Sequence, residues 1–346
     1  HPISLSLSLP KTKTRRNGFS WETELSYTKQ HAISMDPRCV VATVVALGTV
    51  AFLYITSMRK KKKKDKAFLD RSRQRLRVVK REELTKDVRK LSFSLPEKDM
   101  LLGLPVGKHV KIYGKNVVGC VPGEWNGRED KEAKLDEIER NYTPTSVVSK
   151  RGSMDLVFKV YFSNTVPRFP DGGKLSQQLN KLQVGDYVDV RGPFGRIEYC
   201  GQGSFAIGRT KSKKCKTVGM IAGGTGITPM FQVLQHILND PKDDTEVYLL
   251  FANVTESDIL LREELESYFK QHEQFKGLHY TVDRPPTDGS WKYSSGFVNE
   301  DMIREHMPSS GNDTVVLCCG PPPMIKYACT PNLLKAGHEK DSILIF

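Results

Sequence analysis

A glycine-rich turn between a buried strand and an amphipathic helix is the strongest constraint on the fold of this chain. The apolar run Val218–Ala222 is followed by Gly223, Gly224 and Gly226, and Pro229 then opens a helix with an apolar face. Glycines in such a turn let backbone N–H groups approach a ligand closely, and the helix N-terminus is partly positive. The turn therefore predicts a phosphate site. Its spacing, G-x-G-x-x-P, differs from the usual dinucleotide fingerprint.

Apolar runs alternate with helical patterns throughout the C-terminal part of the chain. This alternation indicates a parallel sheet with helices on both faces, whose ligands bind at the carboxyl ends of the strands. We therefore predict an α/β nucleotide-binding domain over 217–346. The predicted strands are Thr217–Ala222, Glu246–Ala252, Leu278–Val282 and Val315–Cys319, and the predicted helices are Met230–Leu238, Asp258–His272, Asn299–His306 and Pro323–Ala328.

The region before it, 74–200, has the pattern of an antiparallel β-barrel. Short runs with a period of two residues, separated by glycine and proline turns, are typical of half-buried antiparallel strands. A helix interrupts them where Leu175, Leu179 and Leu182 recur at helical spacing after Gly172–Lys174. This second glycine turn is a second candidate phosphate site. The predicted strands begin near Arg75 and Val88 and include Lys108–Tyr113, Tyr142–Ser149, Met154–Phe162 and Tyr187–Arg191.

Two hydrophilic segments interrupt this pattern. Residues 115–139 form a highly charged insert, which we predict to be a solvated surface loop with a short charged helix. Residues 201–216 are rich in glycine and lysine and are predicted to connect the two domains.

The N-terminal part of the chain has the pattern of a membrane anchor. Residues 39–58 carry no charge and are followed by the basic run Arg59–Lys64. A stretch of this length is sufficient for one helical crossing of a bilayer, and a buried helix or a cleaved signal is the alternative. Because basic flanks stay on the cytosolic side, the folded part should face the cytosol, with 39–64 in contact with lipid.

The other N-terminal boundaries follow from the same pattern. Residues 1–38 form a tail, in which Met35 is a candidate for the true start, and 59–73 form a basic tether. The sequence leaves open whether 1–34 belong to the mature protein and whether the membrane is the endoplasmic reticulum or the mitochondrial outer membrane. We expect a monomer.

The net charge of +13 and the cysteines exclude several functions. Much of the positive charge lies in the basic run and the tail, and the run has no interleaved aromatic residues, so nucleic-acid binding is not favoured. The seven cysteines form no C-x-x-C pair and no metal-ligand spacing, so we expect reduced thiols and neither an iron–sulfur cluster nor another metal site.

The segment from Arg140 to Ser146, RNYTPTS, brings together a permanent cation, an aromatic ring and hydroxyl groups. These groups suit a flavin: a charge for its pyrophosphate, a ring to pack on the isoalloxazine and a hydrogen bond near the reactive N5. As an isolated string the motif is not specific, and its meaning depends on the other motifs.

Four motifs in the order RNYTPTS, GGKLS, GGTGITPM and CGPPPM resemble those of the NADH–cytochrome b5 reductase family, within the ferredoxin reductase-like flavoprotein superfamily. The resemblance extends from about Arg75 to Phe346. It implies FAD and NADH as cofactors, hydride transfer from NADH to FAD, and single-electron transfer to cytochrome b5, an acidic heme protein. Reduction of a quinone by the same machinery remains an alternative. A catalytically idle adaptor would be expected to lack Arg140, Tyr142 or Gly223, and all three are present.

The resemblance also implies roles for single residues around the flavin. Arg140 would bind the pyrophosphate, Tyr142 would pack on the flavin and Thr143 would donate a hydrogen bond near N5. Lys174 would hold the pyrophosphate at the helix start and also face the acceptor protein. Val160 would offer backbone contacts to the adenine half. The other residues implied on this side are His109, Pro144, Tyr161, Gly173, Leu175 and Ser176.

On the nicotinamide side, the resemblance places Cys319 beside the nicotinamide ring and has Lys159 help to seat the cofactor. Asp283 would accept hydrogen bonds from the adenosine ribose and repel a 2′-phosphate, which favours NADH over NADPH. Val254 departs from the family's glutamine. The implied catalytic residues are Thr143, Thr228 and Cys319, and both Thr225 and Thr228 match positions near the flavin. Phe297 and Phe346 match family aromatics without an assigned role. The other implied cofactor contacts in this lobe are Gly223, Gly224, Gly226, Pro229, Asn253, Gly320 and Pro321.

Overall fold

The computed structural model describes residues 66–346, whose first lobe is built on a six-stranded antiparallel sheet. The predicted tail and membrane anchor lie outside the described residues. Within 66–346, no helix combines the length and the hydrophobicity that a membrane span requires. The sheet has the order β6-β3-β8-β1-β2-β7. Its strands are β1 (Arg73–Glu83), β2 (Val88–Ser94), β3 (His109–Lys115), β6 (Glu137–Tyr142), β7 (Ser153–Lys159) and β8 (Tyr187–Phe194).

The two edge strands of this sheet meet. The N–H of Thr145, just after β6, donates to the carbonyl oxygen of Asp155 in β7 at 2.9 Å, a contact of the kind a barrel requires. Alternate strand residues point inward, among them Val78, Leu91 and Ile112, which are fully buried. The helix α1 (Lys174–Lys181) packs its buried residues Leu175 and Leu179 onto this core, as its leucine spacing predicted.

Two segments of the first lobe differ from the sequence prediction. The predicted strand Tyr142–Ser149 is wrong: β6 ends at Tyr142, because Pro144 has no N–H to continue the ladder. The insert forms a hairpin of β4 (Glu124–Trp125) and β5 (Arg128–Glu129), and none of its described residues forms the predicted helix. Asn126 and Gly127 connect these strands with φ angles of 53° and 67°, the left-handed pair that a tight hairpin turn requires.

The second lobe is a six-stranded parallel sheet of order β15-β14-β13-β12-β16-β17, as the strand–helix alternation predicted. Its central strand β12 is buried on both faces. The strands are β12 (Thr217–Gly223), β13 (Glu246–Asn253), β14 (Phe275–Val282), β15 (Ser294–Ser295), β16 (Thr314–Cys319) and β17 (Ile343–Ile345). The helices are α2 (Ile227–Asn239), α3 (Arg262–Gln271), α4 (Glu300–His306), α5 (Pro322–Met324) and α6 (Thr330–Lys335), with a π-helical turn at Ile325–Cys329.

The segment between the lobes is folded rather than extended. Residues 201–216 contain β10 (Ser204–Ile207) and β11 (Lys211–Lys214), which join β9 (Ile197–Tyr199) in a three-stranded antiparallel sheet. Apolar side chains from both lobes share one buried cluster, in which Val106 and Val157 lie with Ile227 and Phe231. The lobes are therefore fixed to one another by a common core.

A buried hydrogen-bond network secures the junction at β9. The Tyr199 hydroxyl donates to Asp243 Oδ2 at 2.6 Å and accepts from the N–H of Gly203 at 2.8 Å. The same carboxylate accepts from the N–H of Gln202 at 2.8 Å and from the Thr245 hydroxyl at 2.6 Å. Burial raises the pKa of the Tyr199 phenol, so the hydroxyl stays a donor to the carboxylate.

Substitution of Tyr199 by Phe should lower the unfolding free energy by about 1–3 kcal/mol, because it leaves a buried N–H and a buried carboxylate each without one partner. Urea denaturation with an unchanged m-value would measure the loss. Tyr187→Phe is the matched control, because Tyr187 is 56% exposed. Equal unfolding free energies for the two variants would show that the network adds nothing.

Candidate active site

The predicted flavin side of the site contains a cavity of about 260 Å³ at the end of β6 and the start of α1. Pairing of β3 with β6 places Arg140 opposite Ile112 and Tyr142 opposite Val110, so the insert does not turn the motif away from the cavity. Tyr142 packs edge-on against Phe158, and burial raises the pKa of its phenol, which therefore stays protonated. The predicted residues on this wall are Arg140, Tyr142, Thr143, Lys159, Tyr161, Gly173, Lys174, Leu175 and Ser176.

The start of α1 is an open anion seat. The cap residue Gly173 offers no side chain to the first turn, and no acidic residue lies in that turn. The first backbone N–H groups of a helix have no partner within the helix, so an uncapped start is free to hold a phosphate. Gly172, with φ of 69°, allows the close turn: a Cβ there would stand 2.4 Å from the carbonyl oxygen of Tyr161.

The predicted nicotinamide side contains a second cavity of about 420 Å³ at the carboxyl ends of β12 and β16. It shares Asn141, Thr143, Tyr161, Thr225 and Thr228 with the first cavity, so the two cavities adjoin. The glycine turn of β12 is again uncapped by side chains, because Gly226 precedes α2. The predicted residues on this wall are His109, Gly223, Gly224, Thr225, Gly226, Thr228, Pro229, Cys319, Gly320 and Pro321.

Gly226 and Gly224 serve different structural purposes in this turn. At Gly226 a Cβ would stand 2.2 Å from the carbonyl oxygen of Cys319, so only glycine allows the turn to pack against the end of β16. At Gly224, with φ of 53°, a Cβ would meet nothing within 4 Å and would instead project into open space. Gly226 thus brings the turn into contact with the end of β16, and Gly224 leaves room for a ligand.

An ion pair spans the two lobes beside the flavin cavity. Lys159, at the end of β7, donates to the carboxylate of Asp258 in the second lobe and to Asp87 at 3.0 Å. Burial opposes the charge on Lys159, but the hydrogen bonds that it donates to Asp258 and Asp87 raise its pKa overall. Asp258 also closes a capping box with Thr255. Lys159 therefore lies at the predicted seat of the cofactor and is held there by two carboxylates.

Lys174 does not have the exposure that was predicted for a contact with an acceptor protein. Only 4% of the residue is exposed, because the insert covers it. Its ammonium donates to Asp130 Oδ2 at 2.7 Å and to Asn116 Oδ1 at 2.9 Å. The indole ring of Trp125 lies 5.0 Å away. The expectation that Lys174 faces the acceptor is therefore wrong. Most of the insert is exposed, as predicted for a surface loop, although Asn116, Trp125 and Asp130 pack on Lys174.

Some predicted residues line neither cavity. Val160 is buried and gives its N–H to the carbonyl oxygen of Asp87 at 2.7 Å, so this group is not available to an adenine. Pro144 is buried behind Thr143. Phe297 is 76% exposed. Asp283 is exposed at the end of β14, and partial burial raises the pKa of its carboxyl, although Arg284 opposes this.

Asn253 ends β13, where ligands of parallel sheets bind. It is only 6% exposed, and within 66–346 neither atom of its side-chain amide has a hydrogen-bond partner. Buried amides are normally paired, so this one is suited to a polar ligand such as a ribose. Together with the two uncapped helix starts and the open space at Gly224, it shows that the residues present fit a flavin and a nicotinamide nucleotide.

Several residues of the site were not predicted as such. Asn141 lies on both cavity walls, and its position inside the R-x-Y-T motif could have identified it. Phe346 matched a family aromatic without an assigned role, and its ring lines the nicotinamide cavity next to Gly107. Asp258 contacts Lys159, but nothing in the local sequence indicated this, because the two residues are 99 positions apart.

Comparison with known proteins agrees with this geometry. The oxidoreductase FAD-binding domain family matches residues 75–125 and 127–199, and the oxidoreductase NAD-binding domain family matches 220–330. The chain is thus an oxidoreductase with a flavin-binding lobe and a nicotinamide-binding lobe. The cytochrome b5 reductase domain of Ulva prolifera nitrate reductase has the same fold, with a TM-score of 0.73 and 42% identity over 81% of this chain and all of that one.

More similar sequences identify the family. NADH-cytochrome b5 reductase 2 of Gallus gallus is 49% identical over 272 residues, which cover 77% of this chain and 83% of the relative. NADH-cytochrome b5 reductase 3 of Rattus norvegicus is 45% identical over 78% of this chain and 85% of its own length. The chain belongs to the NADH–cytochrome b5 reductase family, as its motifs predicted. FAD and NADH are its cofactors.

Alkylation of Cys319 should depend on pH, because burial raises the pKa of its thiol to about 11. The thiolate is the reactive form, and below this pKa the thiol stays protonated. Iodoacetamide should therefore label Cys319 slowly at neutral pH and faster as the pH rises towards 11. Peptide mass spectrometry would follow the label, with the urea-unfolded chain as control. Labelling at neutral pH as fast as in the unfolded chain would contradict a raised pKa for this thiol.

Proposed function

We propose that this chain oxidises NADH through bound FAD and passes the electrons to cytochrome b5. When bound, FAD supplies the ability to accept a hydride and to release electrons one at a time. The observation that carries the proposal is that the two cavities adjoin and share wall residues, while each is bordered by a glycine turn from a different lobe. A nucleotide held at each turn would bring its ring towards the shared residues.

On the flavin side, the chain would bind charge and fix orientation. Arg140 and the uncapped start of α1 would hold the pyrophosphate, and Tyr142 would pack on the ring system. Thr143, which borders both cavities, would hydrogen-bond near the reactive nitrogen. Thr143 is only 9% exposed, so bulk water has little access to that edge.

On the nicotinamide side, the chain would position the ring rather than exchange protons with it. Cys319 borders the cavity as a neutral thiol, because its pKa is raised to about 11. Thr228, at the start of α2, donates its hydroxyl to the carbonyl oxygen of Thr225 at 3.1 Å and also borders both cavities. Hydride transfer needs close, aligned rings, and these rigid walls would supply the alignment.

The electron acceptor would be a separate protein. Cytochrome b5 is part of the names of the relatives from Gallus gallus and Rattus norvegicus, and we extend that acceptor to this chain. Lys174 is buried, so an acidic acceptor would have to be recognised by other basic side chains. A quinone reduced by the same flavin is the alternative acceptor.

We also propose that residues 39–58 anchor the protein in a membrane with the catalytic lobes towards the cytosol. The support is the uncharged stretch and the basic run that follows it, both of which precede the described residues. The first described residues, beginning at Lys66, continue directly into the flavin lobe.

The acceptor can be tested with the full-length protein and NADH. Cytochrome b5 should be reduced with a kcat/KM roughly tenfold above that of a short-chain quinone, and the value should fall with rising salt if oppositely charged surfaces meet. A higher kcat/KM for the quinone, with little dependence on salt, would favour the alternative acceptor.

The choice of nicotinamide cofactor provides another test. Asp283→Thr should narrow the ratio of kcat/KM for NADH over NADPH, because it removes a carboxylate that would repel a 2′-phosphate. Asp258→Thr is the matched variant, since it removes a carboxylate that is already paired with Lys159. If Asp258→Thr narrows the ratio and Asp283→Thr does not, the discrimination belongs to Asp258 instead.

A further inference from the structure

The insert between β3 and β6 is attached directly to the candidate flavin seat. Asn116 fixes its base, donating to the carbonyl oxygens of Glu132 at 2.6 Å and Leu135 at 2.9 Å. At its tip, Trp125 Nε1 donates to the carbonyl oxygen of Gly172 at 2.9 Å. The insert is therefore held at its base and at the glycine turn before α1.

A second set of contacts locks the tip onto the same turn. Asp171 accepts from the backbone N–H of Cys120 at 2.6 Å and of Asn126 at 2.5 Å. In return, the Asn126 side chain accepts from the N–H groups of Asp171 and Gly172 at 2.8 and 3.1 Å. This reciprocal pairing gives the hairpin a defined position on the turn.

The two acidic side chains that follow the hairpin contact the two cations of the seat. Asp130 accepts from Lys174 at 2.7 Å, and Glu132 accepts from both terminal nitrogens of Arg140 at 2.7 Å each. Glu132 also lies 3.6 Å from Lys174. Hydrogen bonding by Arg140 lowers the pKa of Glu132, so this carboxylate stays charged at neutral pH.

These pairs change the charge that a flavin would meet. Arg140 and Lys174 both line the flavin cavity, yet each is already bound to a carboxylate of the insert. Two cations and two carboxylates have no net formal charge. A carboxylate and a phosphate oxygen compete for the same donors on Arg140 and Lys174.

We propose that Asp130 and Glu132 act as counter-anions that compete with the flavin diphosphate for Lys174 and Arg140, so that the insert sets the flavin affinity of this chain. The proposal rests on the proposed flavin seat at Arg140 and α1. Lys174 then serves to anchor the insert, and the backbone of α1 carries more of the phosphate binding. The insert weakens flavin binding through charge and not through steric exclusion, since the cavity beside it stays open.

The test is the dissociation constant of FAD for the full-length protein, measured by equilibrium dialysis. Asp130→Asn combined with Glu132→Gln should tighten FAD binding about fivefold, because both cations become free for the diphosphate. The variant should also lose affinity more steeply as salt rises, because unpaired charges are screened. Glu132→Gln alone removes only the half-exposed pair and should show a smaller gain, which provides a test if the double variant does not fold.

Glu129→Gln is the matched control, because Glu129 is an exposed carboxylate of the same insert that pairs with neither cation in the described structure. Its FAD affinity should equal that of the unchanged protein. Unchanged or weaker binding in the double variant and in Glu132→Gln would overturn the proposal, since the carboxylates would then be inert or would orient the cations. Arg140→Ala distinguishes a failure of this proposal from a failure of the proposed flavin seat. If it leaves the flavin content unchanged, the flavin seat itself is wrong.

Discussion

The contact between Gly226 and the carbonyl oxygen of Cys319 is the constraint on which the site depends. Because Gly226 has no Cβ, the turn after β12 lies directly against the end of β16. The parallel pairing of Ala222 with Cys319 sets the height of both segments. The start of α2 and Cys319 therefore line one cavity. Any side chain at position 226 would push the turn after β12 away from the end of β16 before it affected the rest of the sheet.

The second lobe alone cannot bring a flavin to this cavity. The first lobe is held there by three kinds of contact: the shared apolar cluster, the Tyr199–Asp243 network and the ion pair between Lys159 and Asp258. The first two are buried and set the position of the lobes. The third lies at the edge of the flavin cavity, where a charged ligand would change its strength. Lys159 therefore both links the two lobes and lies where a cofactor would bind.

Much of this arrangement could be predicted from the sequence, because its parts are local. The strand–turn–helix at 218–230, the leucine pattern of α1 and the period-two strands are each contained within a few residues, and apart from the strand predicted at Tyr142–Ser149 they were found where predicted. What could not be predicted depends on distant residues. The role of Asp258 follows from its contact with Lys159, which is distant in the sequence. The burial of Lys174 likewise follows from its contact with Asp130, 44 positions away. The hairpin of the insert is an exception. Asn126-Gly127 is a local turn signal, but the many charged residues around it favoured the prediction of a loop with a short helix.

The insert also shows why a motif does not by itself define the electrostatics of a site. Arg140 and Lys174 stand in the R-x-Y-T and G-G-K positions, and their types alone would indicate a strongly positive seat. The hairpin leaves both residues in place and cancels their charge with Asp130 and Glu132. Because Lys174 is also removed from the surface, one segment changes both the charge at the proposed cofactor seat and the exposure of a basic side chain. An ion pair that is buried, such as Lys174–Asp130, is lost only at a high cost in free energy, so this arrangement is a stable property of the folded lobe.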